Sequence, residues 1–266
     1  MDNRPIGIFD SGVGGLTVWK TLLKEFPQES FVYFADNKYC PYGTKSDEEI
    51  TERSEKIVDF LLQKKCKLIV VACNTATSAS IHTLRKKYSV PIVGIEPAIK
   101  PASKKSKTGS IGVLATQGTV NGNHFKQTSQ KYANDKNVIV QIGYGLVDLV
   151  EQNKIDSIEL KVLLQKYLKP MLEQNVDYIV LGCTHYPLLS NKIRSIVGEK
   201  ITLLEPSKAI AKQVKVKLIE INGMAENNKH RKTEIYTSGN NFLPIFSVLK
   251  QLKMDKNEKI EIKRYF

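Results

Sequence analysis

The stretch LIVVACNT at residues 68–75 decides the fold, because a short run of wholly apolar residues passes directly into a small polar turn. A strand that is apolar on both faces is typical of a parallel sheet with helices on both sides. Three further runs of this kind lie at residues 6–9, 31–34 and 91–94. The sequence therefore predicts a mostly parallel sheet in the N-terminal part of the chain.

Amphipathic helical patterns separate these strands. The clearest spans residues 46–62, where apolar residues recur at helical spacing. It begins with a capping box, in which Ser46 is the expected N-cap and Glu49 follows three residues later. The alternation of apolar strands with such helices predicts an α/β fold in which helices cover both faces of each sheet.

The order of motifs then repeats along the chain. Three segments of the first half have counterparts in the second half, namely residues 6–9 and 111–114, 68–75 and 178–185, and 95–98 and 204–207. The offsets are 105, 110 and 109 residues, and the middle pair carries a cysteine at the same place. This repetition favours two similar α/β lobes, each a mostly parallel sheet flanked by helices, with the active site in the cleft between them.

The repeat also predicts where the lobes divide. We expect the first lobe to contain residues 1–98 and about 213–266, and the second lobe to contain residues 99–212. The lysine-rich stretch at residues 100–109 is the natural crossing between them. The residues after about 212 carry another helix, a strand at 233–237 and a final helix, which is more than the second half needs. We therefore expect them to pack back onto the first lobe.

Composition limits the class of protein. Hydrophobic residues make up 41% and charged residues 25% of the 266 residues, which suits a buried core and excludes a disordered chain. No apolar run approaches the roughly 20 residues that a membrane-spanning helix needs. The first residues lack a charged leader with a long apolar core, and the cysteines form no CxxC pair. These features predict a cytoplasmic protein without a disulfide frame, a zinc ribbon or a membrane anchor.

The chain is strongly basic, with 40 Lys and Arg against 27 Asp and Glu and a net charge of +13. Such an excess occurs in nucleic-acid-binding proteins. Here the lysines are spread along the chain and are not interleaved with aromatic residues, as a base-stacking surface requires. A solvated basic surface is therefore favoured over nucleic-acid binding as the main role.

Cys73 and Cys183 hold equivalent positions, each after an apolar strand. Ligands of open α/β sheets bind beyond the carboxyl ends of the strands, so two facing lobes would place two thiols across one cleft. Helix N-terminal amides are expected to lower the pKa of such thiols. One thiolate and one thiol suit a reaction that removes a proton from one face of a carbon and returns one to the other. Cys66 and Cys40 are better explained as small buried apolar side chains.

The turn DSGVGG at residues 10–15 follows the first strand. Its glycines either expose backbone amides that hold a carboxylate or phosphate, or allow close helix packing. The spacing is not GxGxxG, so a dinucleotide site is not favoured. Asp10 stands at the strand end, where it is a candidate to contact a substrate ammonium group or to orient Cys73.

Several polar residues surround the two cysteines. Asn74, Thr75 and Thr184 lie where N-caps are expected, and the same groups are suited to hold an α-carboxylate. His185 comes two residues after Cys183, where it is a candidate proton partner for that thiol.

At these residues the sequence resembles glutamate racemase, the cofactor-independent branch of the aspartate/glutamate racemase superfamily. The matching segments together span residues 7–189 and are GIFDSGVGGLTV at 7–18, PYG at 41–43, ACNTA at 72–76 and GCTHYPLL at 182–189. In combination they are highly specific, whereas the similarity weakens past about residue 208.

The resemblance implies interconversion of L- and D-glutamate without a cofactor or a metal, a supply of D-glutamate for peptidoglycan, and a homodimer. It implies that Cys73 takes the proton from D-glutamate and Cys183 from L-glutamate, with Asp10, His185 and Glu151 in supporting roles. The residues that it implies in substrate contacts are Asp10, Ser11, Tyr42, Gly43, Asn74, Thr75, Thr184 and His185.

The sequence departs from the family pattern at two places. Many members carry Cys and Pro in the loop before the glutamate, whereas residues 141–151 contain neither. From its own pattern, Glu151 would be a surface acid at the end of a helical stretch. The long N-terminal extension of members that a peptidoglycan precursor activates is not recognisable, so we do not expect that regulation.

Three other functions fit part of the pattern. An aspartate racemase is the nearest, but the first glycine-rich turn and His185 favour glutamate. A two-lobed solute-binding protein would want an export signal and has no need of paired thiols. A DNA-directed role would rest on the net charge alone, with binding that fades steeply as salt rises.

Overall fold

Within residues 2–226, 228, 230–254 and 258–265, which the computed structural model describes, ten strands form two parallel sheets. All four strands predicted in the first third of the chain are present. The strands are β1 (Ile6–Asp10), β2 (Phe31–Ala35), β3 (Leu68–Val71), β4 (Ile92–Gly94), β5 (Ser110–Ala115), β6 (Asn137–Ile142), β7 (Tyr178–Gly182), β8 (Thr202–Leu204), β9 (Thr233–Thr237) and β10 (Ile260–Arg264).

The strand order confirms the predicted architecture of two similar lobes. The first sheet has the order β10-β9-β2-β1-β3-β4, and the second has the order β6-β5-β7-β8. Four neighbouring strands of the first sheet, β2-β1-β3-β4, therefore repeat the connectivity of the whole second sheet. All the pairings are parallel. Helices supply the crossovers between the strands, as parallel pairing requires.

The helices cover the faces of both sheets. They are α1 (Leu16–Glu25), α2 (Asp47–Gln63), α3 (Asn74–Lys87), α4 (Ile99–Lys105), α5 (Gln117–Asn121), α6 (Asn123–Tyr132), α7 (Leu146–Glu151), α8 (Ile158–Glu173), α9 (Ser190–Val197), α10 (Ser207–Glu220) and α11 (Leu243–Gln251). The predicted N-cap of α2 is confirmed, because the Ser46 side chain accepts a hydrogen bond from the Glu49 amide at 3.2 Å. No helix in the described part of the chain is long and apolar enough to cross a bilayer.

The C-terminal residues return to the first sheet. Strand β9 pairs with β2 in register from Thr233 opposite Phe31, and β10 pairs with β9. The predicted strand at residues 233–237 is thus confirmed. The sequence analysis missed β10, because charged residues fill three of its five positions, IEIKR, and hide the strand pattern. The limits of the two lobes stay a prediction.

The largest hydrophobic core joins the two lobes. It contains Trp19 of α1 and Ile8 of β1 together with Leu114 of β5 and Leu146 of α7, all fully buried. Two smaller cores lie beneath α2 and α3 and beneath α4 and α6. The apolar packing between the lobes brings the carboxyl ends of β1, β3 and β7 to one cleft.

Candidate active site

The two predicted thiols line one cavity. Cys73 follows β3 and Cys183 follows β7, and both are buried, with 5% and 6% of their surface exposed. The cavity has a volume of about 10 Å³. Nine of the eleven residues expected in the site line it, namely Ser11, Tyr42, Gly43, Cys73, Asn74, Thr75, Cys183, Thr184 and His185. The other two, Asp10 and Glu151, lie directly behind this wall, hydrogen-bonded to Thr184 and His185.

Cys73 caps helix α3 with its own thiol. Its Sγ accepts a hydrogen bond from the Ala76 amide at 3.4 Å and lies 3.8 Å from the Ser11 hydroxyl. The prediction that Asn74 and Thr75 are N-caps is therefore wrong, because both already belong to the first turn of α3. Thr184 is not an N-cap either, since its hydroxyl donates to Asp10.

The acidity of Cys73 differs from the sequence expectation. Burial, and next the charge of Asp10, raise the pKa of this thiol to about 12, although the Ala76 amide acts in the opposite direction. One amide at a helix N-terminus does not offset the loss of hydration of a thiolate that is nearly inaccessible to solvent. The expected lowering of the pKa is thus wrong for Cys73.

Asp10 is a fully buried carboxylate that bonds within both lobes. Its Oδ1 accepts from the Gly12 amide at 2.7 Å and its Oδ2 from the Thr184 hydroxyl at 2.8 Å. Burial raises its pKa, against the opposing charge of His185 and these two hydrogen bonds. The carboxylate therefore fastens the loop after β1 to the loop after β7, close to both thiols.

Cys183 lies beside a buried imidazole. The Nδ1 atom of His185 is 3.7 Å from the Cys183 Sγ, and its Nε2 atom is 2.7 Å from Oε1 of Glu151. Burial opposes the charged imidazolium, but hydrogen bonds with Cys183, Cys40 and Glu151 together raise the pKa of His185 well above its ordinary value. A protonated His185 places a positive charge beside the Cys183 sulfur.

The glycine-rich turn after β1 accommodates the second lobe. A Cβ atom on Gly12 would lie 1.9 Å from Oε1 of Glu151, and one on Gly14 would lie 2.4 Å from Nδ1 of His185. The Val13 amide between them donates to Glu151 at 2.7 Å. The turn therefore holds a carboxylate of the protein itself, and its binding of a ligand carboxylate stays a prediction.

Thr75 and Asn74, at the start of α3, differ in their hydrogen bonding. The Thr75 hydroxyl lies 2.8 Å from the Thr116 hydroxyl, which joins α3 to the second lobe. The Asn74 side chain is buried, and its Oδ1 has no hydrogen-bond partner among the described residues. A buried acceptor without a partner beside Cys73 is suited to a ligand that donates a hydrogen bond.

Tyr42 contributes to the cavity wall, but its hydroxyl points elsewhere. It donates to Asp36 at 2.6 Å, and Arg53 binds the same carboxylate through two hydrogen bonds of 2.7 and 3.0 Å. Burial and the charge of Asp36 raise the pKa of Tyr42. The Asp36–Arg53 pair thereby fixes the turn of Tyr42 and Gly43, both of which line the cavity.

The sequence analysis missed two residues at the rear of the site. Asn37 donates from Nδ2 to Oε2 of Glu151 at 2.7 Å. The account of Cys40 as a small apolar side chain is incomplete, because its thiol lies with His185 and Glu151 in a group whose ligand atoms are all within 4.8 Å. Such atoms are of the types that bind Zn²⁺. Asn37 and Cys40 both follow β2, and no local sequence pattern indicates that they belong to the site. Cys66, by contrast, is a buried apolar contact of Leu61 and Gly7, as expected.

Comparison with known proteins identifies the family. The family model of Asp/Glu/hydantoin racemases matches residues 16–214. The chain belongs to this family. It is 42% identical over 239 residues to a glutamate racemase from Clostridium perfringens, which covers 90% of this chain and 92% of that protein. The family resemblance expected from the motifs is thereby confirmed.

Solved structures of racemases share the two-lobed fold along the whole chain. A glutamate racemase isoform from Bacillus anthracis superposes with a TM-score of 0.87 at 31% identity, covering 100% of this chain and 98% of that one. The Escherichia coli glutamate racemase, solved with L-glutamate and the activator UDP-MurNAc-Ala, gives a TM-score of 0.85 at 31% identity, covering 99% of each chain. The similarity therefore extends over both lobes of this chain.

Proposed function

We propose that this protein interconverts L- and D-glutamate and that Cys73 and Cys183 are its two acid/base groups. The observation that carries the proposal is the pair of thiols at matching strand ends, β3 and β7, which line one cavity between the lobes. Removal of a proton from one face of Cα and delivery to the opposite face needs two groups on opposite sides of the carbon. The family membership of the chain supports the same reaction.

The two directions use the thiols in opposite roles. With L-glutamate, the Cys183 thiolate takes the Cα proton and the Cys73 thiol donates its proton to the other face, which leaves Cys73 as the thiolate. With D-glutamate the steps run in reverse. His185 stabilises the Cys183 thiolate through its charge, and the Ala76 amide and Ser11 hydroxyl are the groups within reach of the Cys73 sulfur. Each proton transfer is then effectively intramolecular.

Charge develops on the α-carboxylate when the proton leaves, and the protein must stabilise it without a cofactor. The first amides of a helix lack a carbonyl partner within it, and Asn74 and Thr75 of the first turn of α3 line the cavity. Amides at such a place are suited to stabilise this charge. Thr184 stands on the opposite wall. We assign the α-carboxylate to these groups, the side-chain carboxylate to the backbone amides of Tyr42 and Gly43, and the ammonium group to Asn74 Oδ1, Ser11 and Asp10.

Substrate entry requires the lobes to separate. A cavity of about 10 Å³ holds no more than about one water molecule. Hydrogen bonds between the lobes close it, and they include those that join Asp10 to Thr184, Thr75 to Thr116 and Val13 to Glu151. A neighbouring cavity of about 100 Å³ shares Pro41, Gly43, Thr116 and Val147 with it. We infer that glutamate enters along this side when the Thr75–Thr116 contact opens.

We further propose that the enzyme works in the cytoplasm as a homodimer and supplies D-glutamate for peptidoglycan. Glutamate is the substrate that the names of the relatives support. Sedimentation of the purified protein tests the dimer.

Circular dichroism tests the substrate. L-Glutamate and L-aspartate are incubated separately with the purified protein, and the ellipticity of each amino acid is followed. We expect the signal of glutamate to decay to zero and that of aspartate to persist. Decay of the aspartate signal alone would overturn the substrate assignment.

The division of labour needs a different assay, because enantiomers have equal free energies and kcat/KM for racemisation must be equal in both directions in every variant. Elimination of chloride from 3-chloroglutamate needs only removal of the Cα proton and loss of chloride from Cβ. Cys73→Ser should retain elimination from the L-configured analogue, and Cys183→Ser from the D-configured one, while neither racemises glutamate. If both variants show the same preference between the two enantiomers, the assignment of two thiols is wrong and a single base serves both faces of the carbon.

A further inference from the structure

A chain of hydrogen bonds runs from the first sheet to Cys183. The Thr237 hydroxyl on β9 donates to Oδ1 of Asn37 at 2.9 Å, and Nδ2 of Asn37 donates to Oε2 of Glu151 at 2.7 Å. Oε1 of Glu151 lies 2.7 Å from Nε2 of His185, whose Nδ1 is 3.7 Å from the Cys183 sulfur. We propose that Asn37, held by Thr237, is a positioning residue that makes Cys183 an effective base through Glu151 and His185. The inference rests on the two-thiol function proposed above.

This series of hydrogen bonds fixes the orientation of the Asn37 amide. Because the Thr237 hydroxyl occupies Oδ1, the amide nitrogen is the atom that faces Glu151. Thr237 is fully buried, and its hydroxyl also accepts from the Gly239 amide at 3.1 Å, so its proton is directed at Asn37. An asparagine held in this way presents a donor to Glu151 and cannot present an acceptor.

A donor at this place fixes the position of the Glu151 carboxylate. One oxygen of Glu151 accepts from Val13 and lies against His185, and the other accepts from Asn37. A carboxylate with donors on both oxygens is held in one rotamer. The carboxylate in turn holds the protonated His185 at Nε2 and directs Nδ1 of the ring at the Cys183 sulfur.

The effect is confined to one of the two thiols. Cys73 has other neighbours, the Ala76 amide at 3.4 Å and the Ser11 hydroxyl at 3.8 Å. The series of hydrogen bonds that begins at Thr237 ends at Cys183 and includes neither of these groups. A change at Asn37 should therefore impair proton removal by Cys183 and leave proton removal by Cys73 nearly intact. General damage to the fold would impair both.

The surroundings of Asn37 predict the order of two substitutions. Asn37 and Glu151 both line a second cavity, of about 550 Å³, which Cys73 and Cys183 do not line. In Asn37→Ala, water from this cavity can replace the lost donor in part. In Asn37→Asp, a second carboxylate lies against Glu151, and two such groups share a proton instead of both ionising. Asn37→Asp should therefore be the more damaging variant, although it is the closer in shape.

Elimination of chloride from L- and D-configured 3-chloroglutamate tests the proposal. For Asn37→Ala we expect elimination from the L-analogue to fall about tenfold, with a larger fall for Asn37→Asp and a change of less than about twofold with the D-analogue. Thr237→Val, which loses the hydroxyl that orients the amide, should follow in the same direction. Asn240→Ala is the control, because Asn240 is an exposed residue of the same cavity wall.

The outcomes separate this inference from the proposed function. Equal losses with both enantiomers, or no loss in Asn37→Asp, would overturn the role of Asn37 while the Cys73→Ser and Cys183→Ser variants keep opposite preferences. If those two variants show the same preference, the two-thiol function itself fails. A fall confined to the D-analogue would place Asn37 on the side of Cys73 and contradict the proposal. Thermal unfolding identifies any variant that does not fold. If an Asn37 variant does not fold, elimination from the two analogues by Thr237→Val tests the proposal in its place.

Discussion

The hydroxyl of Thr184 donates a hydrogen bond of 2.8 Å to the fully buried carboxylate of Asp10, and this bond joins the loop after β7 to the loop after β1. The two loops carry Cys183 and the glycine-rich turn, so the bond fixes the width of the cavity between the lobes. Burial already raises the pKa of Asp10, and Thr184 is one of the donors that oppose this shift.

Thr184→Val changes the size of the side chain little but removes the hydroxyl that donates to Asp10. It should therefore lower the activity. A hydrogen bond to a charged group is worth about 1.5–3 kcal/mol, which corresponds to a loss of about 10- to 150-fold in kcat/KM. Thr184→Ser keeps the hydroxyl and should retain most of the activity. The measurement is racemisation of L-glutamate by circular dichroism. Full activity in Thr184→Val would show that the bond between the loops does not matter for the reaction.

The rate should depend on pH as a bell-shaped curve, because the reaction needs one thiolate and one thiol together. A raised pKa means that the protonated form persists to higher pH. Burial raises the pKa of Cys73 to about 12. Hydrogen bonds of His185 with its own neighbours raise the pKa of this imidazole well above its ordinary value. We therefore expect the maximum of kcat/KM above pH 7, with a fall at higher pH as the second thiol and His185 lose their protons.

The pH profiles of kcat/KM for L- and D-glutamate should coincide, because the equilibrium constant between enantiomers is one at every pH. The Cys183→Ser variant, assayed by elimination from the D-analogue, isolates Cys73 and should show a rate that still rises at pH 9. A flat profile across the thiol range would require a base other than cysteine.

Much of the fold was predictable because strands and helices leave local patterns. The matched cysteines at Cys73 and Cys183 marked both lobes, and the parallel sheets followed from apolar strands such as β3. Asn37 and Cys40 were not predictable in the same way, because their partners Glu151 and His185 lie more than 100 residues away. Only packing of the lobes brings them together.

Acidity was the other property that the sequence could not provide. The position of Cys73 at the start of α3 was predicted correctly, but the sign of its pKa shift was not. The shift depends on how completely the opposite lobe excludes water from the thiol, and the charge of Asp10 adds to it. Solvent exclusion arises from tertiary contacts and leaves no local signal.

A buried ion pair outside the site should make the first lobe sensitive to the loss of either partner. The Lys67 ammonium lies 2.6 Å from Glu29, both side chains are almost inaccessible to solvent, and Glu29 also accepts from the Ala225 amide. Lys67→Met leaves the carboxylate buried without its cation and should lower the free energy of unfolding by about 3–5 kcal/mol. Lys87→Met, which removes the exposed pair with Glu55, should change the free energy of unfolding very little.

Urea denaturation followed through the fluorescence of Trp19, the single tryptophan, measures both changes. Equal and small shifts for Lys67→Met and Lys87→Met would show that the buried pair contributes no more than a surface pair. The racemase activity of the folded Lys67→Met variant should be nearly unchanged, because Lys67 precedes β3 at the end of the sheet opposite the cysteines.

Substitution of Tyr42 tests how the turn at residues 41–43 serves the substrate. The Tyr42 hydroxyl is hydrogen-bonded to Asp36, which Arg53 also binds, so it is turned away from the cavity. Tyr42→Phe should therefore leave KM for glutamate within about twofold. It should lower the free energy of unfolding by about 1–3 kcal/mol, because Asp36 loses a buried donor.

Asn74→Ala is the matched comparison, since the Asn74 Oδ1 is buried beside Cys73 without a partner among the described residues. Removing it should raise KM about tenfold or more if it accepts from the substrate ammonium group, and it should cost little stability because no internal hydrogen bond to that oxygen is lost. Initial rates at varied glutamate concentration and thermal unfolding of both variants supply the data. A raised KM in Tyr42→Phe with unchanged stability would mean that the hydroxyl leaves Asp36 to bind glutamate, and the backbone amides of the turn would then lose their assigned role.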